Sequence, residues 1–527
     1  MRLMSDLDIA IVGGGVSGLY AAWRLSTLPN PPKIGVFESS PTLGGRIDTA
    51  DLPVPAPTAK AEFGAMRFLP SMQMVSSLLT WLGLQRETFP GIDLRQTFLR
   101  GVQVNMNGNT NLPYRLASGE PANVGTLLVN ILNGAVPGAL GLNPQQWREA
   151  VKSAIFRGSE LWRWGFQNVA AEFVSNEAYE YVYDASGLDS ALLTANAANA
   201  MRSLAALLPD FAKGQVFRPI DGFGSLIEAL RDRLSKCPNC SIHTQQQVIC
   251  AGRAGDGMIL YFAPPPPPAT VATQQVTADK VIFALPRRAL ELIDMSPLFP
   301  QQSEGRTLLM KKLANVDGIP AFKLSIVYEQ PWWQSYNNIW QGAMRFQNGY
   351  AVTDLPLRQV FFGLGVGSTQ AGNERVLLAS YADTQAARFW TGQAQVSTHV
   401  PLLGSREGKL QQAGPGNLTD TINSQLRTLL QVNGPLPEPL SAGYVDWSAD
   451  PFGGGWHEWK PGVDITAAIP DMRHPVPDAP MYICGEAYSW FQSWIEGALM
   501  SAERMLQDHF QMARPDEWLP KDYDLGP

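Results

Sequence analysis

The apolar positions of the first forty residues change period twice. DIAIVG, residues 8–13, is a short unbroken apolar run of the kind shown by a strand covered on both faces. From 16 to 28 the apolar residues Val16, Leu19, Tyr20, Trp23 and Leu28 recur at helical spacing, and IGVFES, residues 34–39, reads as a strand again. Strand, glycine turn, helix and strand within about 30 residues predict a βαβ unit, hence a parallel sheet.

Helical periodicity then dominates residues 121–221, carried by EAVKSAIFRGSELWRWGF and SALLTANAANAMRSLAALL, and predicts a helical insertion. Strand patterns return between 240 and 286 in QQQVICAG, MILYFA and DKVIFALP, with five consecutive prolines at 264–268 forming a stiff extended loop between two of them. AFKLSIVY and VLLASYAD follow as strands, with a helix near 418–430. The chain closes on strand MYICG, a loop and helix WIEGALMSAERMLQDHF. Sheet-type sequence at both ends, interrupted between them, predicts a nucleotide-binding domain assembled from separated segments.

Composition narrows the function classes. A chain of 527 residues exceeds one hydrophobic core, so two or three domains and room for a large ligand are expected. A net charge of -7, from 40 basic and 47 acidic residues, offers no basic field for a phosphate backbone and argues against a nucleic-acid partner. There is no run of about 18 apolar residues, so no membrane partner is expected. The opening MRLMSDLDIAIVGGG enters a strand too early to hold a signal peptide, which makes a cytoplasmic location the expectation. Four cysteines are too few for a disulfide scaffold, and the CPNC formed by Cys237 and Cys240 reads as a helix-to-strand loop.

GGGVSGL sets Gly13, Gly15 and Gly18 in GxGxxG register between strand and helix: the first for a tight turn, the second for approach to a pyrophosphate, the third for close helix packing. Glu38 follows at the end of the next strand, where a carboxylate accepts from ribose hydroxyls and disfavours a 2'-phosphate. SSPTLGGRIDT adds Gly44, Gly45 and Arg46, so that amides and a guanidinium meet one diphosphate. In AEFGAMRFLP, Arg67 lies among apolar residues where an unpaired cation is costly, and it requires an anion: a substrate group, or a protein carboxylate such as Glu62.

GGGVSGL, FESSPTLGGRIDT, EFGAMRF and CGEAYSWFQSWIEGAL together resemble the flavin amine oxidase family, and within it the L-amino acid oxidases. The resemblance implies an α/β multidomain fold: a Rossmann-like FAD-binding domain from residues 6–70, 222–315 and 441–520, a mixed-sheet substrate-binding domain from 71–120 and 316–440, and a helical domain at 121–221. It implies that Val16, Ser17, Glu38, Ser39, Gly45 and Arg46 hold the adenosine and diphosphate of a non-covalent FAD, that Val248 meets the adenine through its backbone, and that Gly64, Ala65, Met66 and Arg67 pass the flavin ring. Gly485 and Glu486 would support the ribityl region, and Trp494, Ile495 and Ala498 would close over the ring with a helix N-terminus.

For the substrate, the same resemblance implies that Arg67 and Tyr381 receive its carboxylate, Lys323 holds a water near flavin N5, and Trp456 and Trp494 form aromatic walls. Ser493 stands where related oxidases commonly have glycine, and its carbonyl would accept from the substrate amine. No histidine lies on the helical-domain side and no cysteine in GGGWHEW, which weighs against a histidine base and a covalent flavin. The implied reaction is oxidative deamination of an L-amino acid, of broad or hydrophobic range, to a 2-oxo acid, ammonia and hydrogen peroxide, with O2 as acceptor and the neutral amine as the reacting form. A homodimer is a family-level expectation. The alternatives are a monoamine or polyamine oxidase, a basic amino acid oxidase, a lipid-type desaturase and a silent FAD-binding protein.

Overall fold

The computed structural model describes residues 6–527 except 55–57, 93, 105–111, 194, 264–271, 300–302, 336–348, 368–369, 397–410 and 413–416. The five prolines expected to form an extended loop lie outside the described residues. No described helix is long and apolar enough to cross a membrane.

The first sheet gathers distant segments. Leu7–Val12 runs parallel to Ile34–Phe37 on one side and to Gln274–Phe283 on the other, and Cys240–His243 adds beyond Ile34–Phe37, also in parallel. The long strand Gln274–Phe283 has two neighbours along its other edge: its first half pairs antiparallel with Gly257–Ala263, its last residues parallel with Met481–Ile483. Gln247–Ala254 completes the sheet. The expected βαβ unit is present, its helix spanning Val16–Ser26 and ending where the Thr27 hydroxyl caps the carbonyl of Arg24 at 2.7 Å. That helix is buried along nearly its whole length rather than on one stripe, because it lies between the sheet and the helices Gly224–Leu234 and Ile495–Phe510.

A mixed eight-stranded sheet forms the second layer system. Its centre is Ala321–Val327, buried at every position between Val376–Asp383 and Ser441–Asp446. Further strands lead outward to Gly349–Thr353, which runs parallel to Arg95–Leu99. Ser441–Asp446 thus pairs in this sheet, so the chain returns to the first sheet only after that strand, later than the domain boundary expected at 441.

The stretch 121–221 is helical in the main, with helices Val124–Ala135, Pro144–Ser153, Phe166–Phe173, Asn176–Ser186 and Ala197–Ala212. One expectation fails inside it. The helical pattern of EAVKSAIFRGSELWRWGF breaks at Ala154, and Ile155–Phe156 pairs with Ser159–Glu160 as a small hairpin. Arg157 and Gly158, both at positive φ (45 and 80°), make its two-residue turn, a geometry that outweighs periodicity where glycine supplies it.

The two chain ends are tied through a buried ion pair. Arg24 donates to Glu503 from Nε at 2.9 Å and from Nη2 at 3.2 Å, and the Tyr20 hydroxyl donates to the same carboxylate at 2.7 Å. Both charges are buried, so removal of one strands the other. Glu503→Ala is expected to lower unfolding free energy by roughly 3–5 kcal/mol, read from denaturant melts of the protein.

Candidate active site and cofactor cleft

The carboxyl end of Leu7–Val12 lies where parallel neighbours flank it on both sides, the position in an open α/β sheet where the loops diverge and leave a crevice. The three motif glycines there have distinct physical reasons. Gly13 turns at φ +109°, and a Cβ on it would meet the Ala284 carbonyl at 2.6 Å. A Cβ on Gly18 would lie 2.0 Å from the Gly13 carbonyl, so the helix can start against the turn only without a side chain. Gly15 differs: a Cβ there would find nothing closer than 3.9 Å, which leaves open space before its backbone.

Around that space the predicted cofactor residues converge. Gly15 pairs with Gly44, next to Gly45 and Arg46. Glu38 accepts from the amides of Gly14 and Ser40, each at 2.8 Å, and the Ser39 hydroxyl lies 3.3 Å from it. The Gln246 amide donates to the Glu38 carbonyl at 2.9 Å, which brings Val248 to this edge. Val16 and Ser17 open the buried helix, and Gly485, at φ +129°, comes close to the Ser17 hydroxyl, a Cβ on it lying 3.7 Å away.

Glu486 is the crossing point of the cleft. It accepts from Arg46 Nη1 at 2.8 Å, from the His457 amide at 2.8 Å, from the Ser493 amide at 2.8 Å, and from His457 Nδ1 at 2.9 Å. Burial opposes the carboxylate's charge, but Arg46, His457 and the Ser493 amide prevail and hold its pKa at about 2. An acceptor-only partner requires the proton on His457 Nδ1, and burial keeps that imidazole below its ordinary pKa. Arg46 uses Nη1 alone, also toward the Gly455 carbonyl at 3.1 Å; its other nitrogens have no protein partner among the described residues.

Gly64 binds this cleft to the second sheet. A Cβ on Gly64 would collide with the Arg46 carbonyl at 1.9 Å, and the Ala65 amide donates to that carbonyl at 3.1 Å. From the buried strand, Lys323 donates to the Gly64 carbonyl, reaches the Met66 sulfur at 3.0 Å, and stands 4.5 Å over the Tyr381 ring. Burial pulls the Lys323 ammonium well below its ordinary pKa, with Glu62 opposing that shift and Arg67 adding to it.

Arg67 is enclosed by the rings of Phe89, Phe211 and Phe361, at 5.9, 5.6 and 5.8 Å from its guanidinium carbon. Among the described residues it makes no hydrogen bond or ion pair. Glu62, the protein carboxylate that could have neutralised it, instead accepts from the Phe223 amide at 2.6 Å and the Thr49 hydroxyl at 2.8 Å. Tyr381 packs edge-on against Trp456, with centroids 6.3 Å apart, and the Trp456 indole donates to the Ser190 hydroxyl at 3.1 Å. Trp494 caps Ile495–Phe510 without a side-chain cap, with Ile495 and the buried Ala498 in the first turn.

The family description "flavin containing amine oxidoreductase" matches residues 16–505. The chain belongs to this family. It is 26% identical to Aplysianin-A of Aplysia kurodai over 96% of this chain and 90% of that protein, and 24% identical to Achacin of Lissachatina fulica over 96% and 93%. L-amino-acid oxidase 4 of Hebeloma cylindrosporum is 23% identical over 98% of this chain and 84% of its own length. In structure, a putrescine oxidase variant superposes with a TM-score of 0.67 at 16% identity, covering 96% of this chain and 99% of that one, a likeness of fold.

As a member of this family the chain is a flavin-dependent oxidoreductase that uses FAD, acts on a small molecule and takes O2 as its acceptor. The crevice suits a dinucleotide: open space before Gly15 and Gly485, spare nitrogens on Arg46, and a carboxylate at Glu38. Sequence reasoning missed His457 and Glu458. Their signal was the alternation in WHEW, which sends His457 to the Glu486 side and Trp456 with Glu458 to the other. Ser190 and Asp383, which steady Trp456, left no local signal.

The glycine geometry separates two substitutions. Gly18→Ala is expected to destabilise even the flavin-free protein, whereas Gly15→Ala should leave flavin-free stability within about 0.5 kcal/mol and abolish the yellow absorbance of the purified protein. Thermal melts of apoprotein and visible spectra check both.

Proposed function

We propose that the enzyme is an L-amino acid oxidase that converts hydrophobic or a broad range of L-amino acids to 2-oxo acid, ammonia and hydrogen peroxide. The carrying observation is Arg67: a half-buried guanidinium, ringed by aromatic faces, with no anion among the described residues. A substrate carboxylate supplies one through two parallel hydrogen bonds, and the Tyr381 hydroxyl joins them. An amine without a carboxylate leaves that cation unpaired, which disfavours the monoamine and polyamine oxidase reading.

FAD, held by the Gly15 turn, Glu38, Arg46 and Gly485, would supply the hydride acceptor and the electron route to O2. The protein orients and desolvates. Arg67 holds the acid end of the substrate, Tyr381, Trp456 and Trp494 exclude water from the reacting carbon, and the Ser493 carbonyl accepts from the amine. Lys323 holds a water beside the reacting edge. FAD is held without a covalent bond: Gly455 has no thiol, and Cys484 is buried next to Ser17 with its pKa pushed up to about 12.

Arg67→Ala is expected to weaken binding of an amino acid by roughly 2–5 kcal/mol while flavin content stays unchanged. Tyr381→Phe should cost about 1 kcal/mol. A peroxide-coupled screen comparing L-phenylalanine with phenethylamine and with D-phenylalanine checks the class; equal turnover of amine and amino acid would overturn it.

A further inference from the structure

Glu458 is a buried carboxyl with little to hold it. The Ser493 hydroxyl donates to its Oε1 at 3.3 Å, its other oxygen has no partner among the described residues, and no cation lies within ion-pair reach. It shares a strand face with Trp456, whose ring packs against Tyr381, while His457 turns to the cofactor side. Near the aromatic pair of Tyr381 and Trp456 there are thus a cation without an anion among the described residues, Arg67, whose charge acts on Tyr381, and, on the strand face of Trp456, a carboxyl with one weak donor. A zwitterion with its carboxylate on Arg67 and its body against these rings would carry its ammonium toward the strand that holds Trp456 and Glu458.

Ser493 itself adds a second observation. It occupies the left-handed region at φ +73°, where a side chain is disfavoured and glycine is at ease. Its amide is fixed by Glu486, and the one polar contact its side chain gains is Glu458.

We propose that Glu458, steered by Ser493, takes the proton from the substrate's ammonium nitrogen and so generates the neutral amine in the site. An N–H bond breaks with its electron pair left on nitrogen, an O–H bond forms on Glu458, and the proton passes to solvent after product leaves. This rests on the amino acid reading above. The charged groups facing Glu458 are Glu486, Asp383 and Arg202, with Asp317 opposite it in the strand pair and His457 beside it. Burial, with Glu486 and Asp383 adding, raises its pKa to about 8, while the Ser493 hydroxyl and Arg202 pull it down. A base with that value works in the range where a protonated amine must be discharged.

The test is the pH profile of kcat/KM for L-leucine and L-lysine in wild type, Glu458→Gln and Ser493→Gly, with flavin content and melting temperature measured on each. Wild type should show an ascending limb near pH 8. E458Q should lose that limb and fall about a hundredfold or more on both substrates. S493G should move the limb to higher pH while its melting temperature rises, a combination that loss of structure does not produce. Infrared difference spectra of flavin-free protein should show a protonated carboxyl band that titrates with the same pH and is absent in E458Q. An unchanged limb in E458Q overturns the proposal, as does a loss confined to lysine, which would make Glu458 a side-chain receptor. If E458Q does not fold, an unmoved limb in S493G is the overturning result. Should wild type oxidise amines only, the amino acid reading falls alone, and the limb is then read on the amine with the same variants.

Discussion

Burying a carboxylate costs several kcal/mol unless donors replace its water, and at Glu486 the replacement comes from separated parts of the chain. Arg46, His457 and Ser493 all bond to it, and Arg46 is 440 residues away in sequence. The glycine loop behind Arg46, the strand Trp456–Trp459 and the start of the terminal helix are thereby held in one register. Because those loops surround the crevice, the site can form only when both chain ends have met. The Arg24–Glu503 pair makes the same closure between the first and last helices.

Beyond that node the interior carries charges that stability alone would not select. Arg67 lacks an anion among the described residues, Lys323 rests on a carbonyl and an aromatic face, and Glu458 has a single weak donor. Buried, poorly compensated charges and a serine at positive φ are features that folded chains retain where chemistry needs them.

The helical segment contributes more than a cover. Asp383 accepts from the amides of Asp189 and Ser190, and Ser190 in turn receives the Trp456 indole. The strand that carries Tyr381 therefore also steadies the ring packed against Tyr381, through a loop of the helical segment. Phe211, at the end of Ala197–Ala212, closes over Arg67. The apolar lining and the cation set within it, Arg67, are properties of three chain segments acting together.

Local patterns in the sequence determined the βαβ start, the dinucleotide glycines, most strands of the first sheet, the two strands Ala321–Val327 and Val376–Asp383 of the second and the helical character of 121–221, because each depends on periodicity or on a backbone conformation that few residues allow. They also marked Arg67 as a cation in need of a partner, since apolar neighbours on both sides leave little water to it. They failed at the Arg157–Gly158 hairpin, where a turn overrides a helical repeat. Only the tertiary structure decided that Glu62 turns to Thr49 and Phe223 rather than to Arg67, that Arg46 pairs with Glu486, and that Glu458 receives the Ser493 hydroxyl. Those choices depend on which distant donors arrive beside a buried charge, and the energy of that meeting has no trace in the residues on either side of it.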